Sequence, residues 1–122
     1  MAKLDSSLAE AEQVYRDMRK LADSGDTEGK KKLVQLRSRY AMLMLDILQA
    51  RKIDERMLGD TEMAKEFDSR FFDLRQTLAE HQARWRLQAI EDDTAGYMAS
   101  AGSLNRVQDD FYLWACGHFA QA

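Results

Sequence analysis

The sequence predicts an all-α fold, an antiparallel up-down-up-down four-helix bundle. Three observations predict it. Apolar residues recur at spacings of three and four through four long segments. The chain has no proline and only six glycines, so little in it interrupts a helix. The tetrapeptide Gly-Asp-Thr-Glu occurs twice, at 25–28 and 59–62, and reads as punctuation between helices. Glycine ends one helix in the left-handed conformation open to it. Asp or Thr then caps the next helix, and Glu sits well in its first turn. The spacing of the two copies suggests a tetratricopeptide repeat, but their flanking residues do not match each other.

The first helix is expected over 5–24, opened by the capping-box pattern Ser7-x-x-Glu10. Its stripe is Leu4, Leu8, Ala11, Val14, Met18 and Leu21. The second is expected over 27–58, with Leu33, Leu36, Tyr40, Leu43, Ile47 and Ala50 in phase. The third, over 61–91, carries Phe67, Phe71, Leu74, Leu78, His81 and Trp85. The fourth lies within 94–120 and carries Tyr97, Leu104, Val107, Phe111 and Trp114, with a break expected at Gly102-Ser103. Each set falls on one helical face. Short connections make sequential helices antiparallel, and 122 residues suit one domain over 1–122.

Composition excludes several function classes. The net charge is −3, which argues against a nucleic-acid phosphate surface. The basic run Lys30-Lys31-Lys32 reads as a solvated helix start. No apolar stretch is long enough to span a membrane, and "MAKLDSSLAEAE" lacks the apolar core of a signal peptide. The single cysteine, Cys116, cannot form an internal disulfide. Together these features predict a cytoplasmic protein.

Polar residues in apolar phase are the candidates for function. His81 continues the stripe of the third helix. Asp46 lies inside "AMLMLDILQA", where both helix faces are apolar. Asp54 continues the Leu43–Ile47–Ala50 phase, and Asp109 and Asp110 flank the Val107–Phe111 stripe. One reading is a His/carboxylate metal site drawn from His81, Asp46, Asp54, Asp109 and Asp110, suited to iron, manganese or zinc. The other gives His81 a packing role, hydrogen-bonded to a carbonyl or carboxylate. Two histidines cannot build a histidine-rich centre. His118 is in phase with Trp114 but close to the C-terminus, and it does not face Cys116 two residues away. No glycine-rich phosphate loop or nucleophile elbow is present, so no enzyme is predicted. The seven methionines and Phe71-Phe72 read as core filler. The apolar middle of the second helix makes a homodimer plausible.

"LADSGDTEGKKKLVQLRSRY" and the apolar helix after it resemble the first two helices of hemerythrin-like (HHE cation-binding) domains. "EFDSRFFDL", "HQARWRLQAI" and "LNRVQDDFYLW" resemble their third and fourth helices. The resemblance runs from about Leu8 to Trp114. It implies an antiparallel four-helix bundle holding two iron ions, which binds oxygen or senses oxygen, iron or redox state. Most of the ligands that the resemblance implies are missing here. Ala11 stands near the place of the first-helix histidine. Gln49 and Ile53 occupy the second-helix ligand places. Arg106 and Asp110 replace the fourth-helix histidine and glutamate. Only His81 and Asp110 remain as survivors. The resemblance therefore implies a bundle that has lost its di-iron site and carries a vestigial buried polar cluster of Gln49, His81, Arg106 and Asp110. In that cluster a salt bridge of Arg106 to Asp46, Asp54 or Asp110 replaces the metal.

"LDILQARKIDERMLGDTEMAKEFDSRF" also resembles the helical sensor modules of bacterial chemoreceptors. The expectation is a regulatory or scaffolding module without a cofactor, acting through an unknown protein partner or by self-association. Its alternatives are an iron-binding sensor with an unusual ligand set, a chemoreceptor-type ligand sensor, and a chaperone-like bundle holding a partner helix.

Overall fold

The computed structural model describes residues 3–24 and 27–119, with the backbone alone at 22–24, 27, 30, 87, 118 and 119. The chain is all-helical, with no strand among the described residues. Four long helices are α1 (Lys3–Ser24), α2 (Thr27–Ile53), α4 (Thr61–Arg84) and α6 (Thr94–Phe119). Two short ones, α3 (Glu55–Gly59) and α5 (Leu87–Asp92), lie between them. No helix of the described residues is long and apolar enough to cross a membrane. The chain divides into two compact units, Met1–Thr61 and Glu62–Ala122.

In the first unit α1 packs on α2. The two run antiparallel, with Arg39 of α2 in an ion pair with Glu10 of α1. Leu4, Leu8, Ala11, Val14 and Tyr15 are buried on α1, matching most of the predicted stripe. Ser7 and Glu10 do not open the helix, since α1 already runs from Lys3 and Ser7 is buried inside it. Glu28 in the first turn of α2 and Arg51 and Lys52 in its last turn suit the helix dipole.

The predicted second helix stops early, at Asp54. Its backbone there is extended (φ −73°, ψ 124°), and its side chain accepts hydrogen bonds from the Arg56 and Met57 amides. Those amides would otherwise bond the carbonyls of Lys52 and Ile53. The carboxylate thus outcompetes the helix and caps α3 instead. Gly59 does not end α3 in the left-handed conformation; it lies inside the last turn, and Asp60 ends it in an extended one (φ −137°, ψ 96°). In the other Gly-Asp-Thr-Glu copy, Gly25 and Asp26 lie outside the described residues.

The second unit is built on aromatic rings. Near the start of α4, Phe67 stacks on Phe71 at 5.5 Å and meets Phe111 edge-on at 6.0 Å. Trp114 joins them, with the Arg70 guanidinium 5.0 Å above its ring. At the other end of α4, His81 and Trp85 meet Tyr97 near the start of α6, so these two helices run antiparallel. The predicted third helix is interrupted at Trp85-Arg86, where Arg86 is extended (φ −74°, ψ 164°). In a straight helix Ile90 would point about 180° away from His81. The interruption resets the phase, and Ile90 is buried. The expected break at Gly102-Ser103 does not form; α6 runs through it.

Candidate functional site

Two polar centres are buried, one in each unit. The first gathers around Asp54. The bend that ends α2 points its carboxylate back along the chain, and only 4% of the side chain is exposed. Arg56 reaches it with Nη2 at 2.9 Å and Nε at 3.2 Å. The same Nη2 lies 2.7 Å from Asp5 Oδ1, so one guanidinium ties the start of α1 to the α2–α3 bend. The Arg56 hydrogen bond is the main force holding the Asp54 carboxyl below its ordinary value. Burial opposes it, while the Arg56 charge and the two capping amides add to it. The two carboxylates in turn raise the Arg56 pKa. This arrangement is an interelement clasp, with both anions already satisfied by a cation.

The second centre is His81. It continues the buried face of Leu74 and Leu78 on α4. Its Nδ1 shares a 2.8 Å hydrogen bond with Ser100 Oγ, and its ring lies 5.5 Å from Tyr97. Trp85 follows one turn on and meets Tyr97 edge-on at 6.0 Å. The partner of His81 Nδ1 is thus a hydroxyl. The ring and hydroxyl lock α4 to α6 near the α5 corner.

The remaining predicted site residues do not join these centres. Of the expected buried cluster only His81 is buried; Gln49, Arg106 and Asp110 are exposed. Asp46 is exposed and Asp109 half-buried. The Asp54 carboxylate is paired with Arg56, two residues on in the first turn of α3. Among the described residues no three His, Cys, Asp or Glu side chains converge as a metal cage requires. Ile53, in a ligand place implied by the resemblance, is exposed, and Ala11 is fully buried. The His118 side chain lies outside the described residues, and Cys116 is exposed.

Sequence reasoning missed three features. Asp5 and Arg56 pair across 51 residues, a separation that periodicity does not address. The Asp54-x-Arg56 spacing, with a capping residue just before an acidic one, was a signal for a helix start there. Gln108 on α6 is only 2% exposed, and its Oε1 has no hydrogen-bond partner among the described residues.

The apolar middle of the second helix, which the sequence singled out, forms a surface. On α2, Leu33, Tyr40, Leu43, Met44, Ile47 and Ala50 are buried. At about 100° per residue they occupy about 120° of arc. Val34, Met42, Leu45 and Ile53 are exposed, at 49%, 61%, 54% and 70%. With exposed Ala41 they occupy about 120° on the opposite side. The helix therefore has a covered apolar face and an open second face on which these apolar residues alternate with exposed Gln35, Ser38 and Gln49. No family model matches the chain, and comparison with curated proteins and with solved structures finds no significant similarity.

Proposed function

We propose that this chain is a non-enzymatic helical interaction module, which works by presenting the second apolar face of α2 to a macromolecular partner. The four long helices form its antiparallel four-helix framework in this reading. It is the role left to a hemerythrin-like bundle whose ligand positions have been replaced. The observation that carries it is the alternation along α2 between buried Leu43 and Ile47 and exposed Met42 and Leu45. A solvated helix face normally carries polar residues, and four large exposed apolar side chains on one face are the kind of surface that marks a contact site. His81 supports the same reading, because its Nδ1 is engaged with Ser100 and its ring with Tyr97, which is a packing role.

The test is a photoreactive residue placed at Leu45 in living cells, with Ser69 on α4 as an exposed control. A discrete macromolecular adduct from position 45 and none from position 69 is expected. No adduct at 45, or the same smear from both, contradicts the proposal.

A further inference from the structure

We infer that the partner surface matching α2 is an amphipathic helix with acidic ends, supplied by another protein. This inference rests on the interaction-module reading and names the chemistry of the partner. The warrant is charge. α2 holds seven Lys and Arg residues against Glu28 and Asp46. Taken from the chain's 18 basic and 21 acidic residues, that leaves 11 against 19 elsewhere. The chain is acidic as a whole, and α2 is its basic element.

The charges also have a place. At about 100° per residue, Lys31 and Lys52 fall within the arc of Val34, Met42, Leu45 and Ile53. Both lysines are exposed. They bracket Val34, Met42 and Leu45, about 32 Å apart at the helical rise, with Ser38 and Gln49 between them and Ile53 just beyond Lys52. Arg39 lies outside this arc and is tied to Glu10 of α1. The complementary surface therefore has apolar positions opposite Val34, Met42 and Leu45, flanked by two anionic ends at that separation, which is the form of a carboxylate-ended amphipathic helix.

The same charges disfavour a second copy of α2 as the occupant. Antiparallel pairing centred between Ala41 and Met42 sets Lys31 of one copy against Lys52 of the other. Parallel pairing sets each lysine against itself. Like charges placed opposite each other select against a partner. An acidic-ended helix turns both positions into attractive pairs.

The experiment uses the full chain and two synthetic peptides. Both are amphipathic helices with a leucine face; one carries glutamates set opposite Lys31 and Lys52, the other lysines. Fluorescence anisotropy at low and high salt reads binding. The glutamate peptide is expected to bind about tenfold tighter at low salt, the equivalent of about 1.4 kcal/mol from two surface ion pairs. The preference shrinks at high salt. Lys31→Glu with Lys52→Glu inverts it. Leu45→Glu and, separately, Met42→Glu remove binding of both peptides while helicity by circular dichroism is unchanged, because both positions are exposed.

Equal binding of the two peptides, or no inversion in the double variant, overturns the inference. So does a dimer by sedimentation that Leu45→Glu dissociates, which would make a second copy the occupant. Binding to phosphatidylserine vesicles in place of the glutamate peptide would make a lipid surface the occupant and overturn it as well. A discrete photoadduct at position 45 without a glutamate preference removes this inference and leaves the interaction module standing. No photoadduct removes both.

Discussion

Trp85 closes directly over Gly96. A Cβ added at Gly96 would lie 2.9 Å from the indole ring and 2.8 Å from Asp93 Cγ, closer than real side chains approach. The contact pins the α4–α5–α6 corner, where Asp93 Oδ1 accepts the Gly96 amide at 2.9 Å and caps α6. Helix propensity alone favours alanine here by about 1 kcal/mol. The corner reverses that sign. Gly96→Ala is expected to destabilise the second unit by about 1–3 kcal/mol, because Trp85 must shift or the Asp93 cap must open. Chemical denaturation checks it, and a gain in stability would contradict the packing.

The Asp54 clasp predicts an acid-sensitive term. Its folded pKa is depressed below the ordinary carboxylate value of 3.8. The stabilisation is therefore complete above that value and is lost as pH falls through the lower, folded one. Asp54→Asn keeps a capping side chain and removes the charge. At neutral pH it is expected to cost about 1–3 kcal/mol, through the lost charged hydrogen bonds to Arg56. The cost should shrink towards zero in strong acid. Asp54→Ala should lose about 1 kcal/mol more through the missing cap. Urea titrations from neutral to acidic pH separate the two; an Asn variant with the wild-type acid profile would count against the clasp.

Leu43 and Leu45 are two residues apart on one helix and stand in opposite environments, 2% and 54% exposed. Leu43→Ala is expected to destabilise by about 2–5 kcal/mol. Leu45→Ala should change stability by no more than about 0.5 kcal/mol. Equal costs at the two positions would mean that α2 is covered on both sides within the chain.

Gln108 provides the opposite kind of test. Its buried Oε1 lacks a hydrogen-bond partner among the described residues, a condition that costs about 1–3 kcal/mol. Gln108→Met keeps a similar volume without the amide. It is expected to hold or raise the melting temperature, and a large fall would show that the amide is satisfied in solution.

Much of the fold was legible because helical periodicity is written locally. Phe67, Phe71, Leu74, Leu78 and His81 announce a face at spacings of three and four, and all five are buried. The helix ends were less legible. At Asp54 a capping carboxylate competes with backbone hydrogen bonds, and the apolar stripe does not record which one wins. At Trp85-Arg86 the interruption lets Ile90 turn inward, a tertiary gain that a local pattern cannot express. The site was harder still. The apolar surroundings of Asp46 suggested burial, but the second apolar face of α2 is open, and Asp46 is exposed beside it. An apolar residue looks the same in sequence whether the chain covers it or leaves it exposed. Ser100 and Asp5 carried no periodic signal at all, because each matters only through a partner distant in sequence.

The open second face of α2 is tested most directly by thiol protection at position 45. With Cys116 changed to Ser, Leu45→Cys is labelled by a maleimide in the purified protein and, separately, inside living cells, beside Ser69→Cys. The account predicts fast labelling of both purified variants, and slowed labelling of position 45 alone in cells, where the partner covers it. Slow labelling of purified Leu45→Cys, or equally fast labelling of both positions in cells, would contradict it.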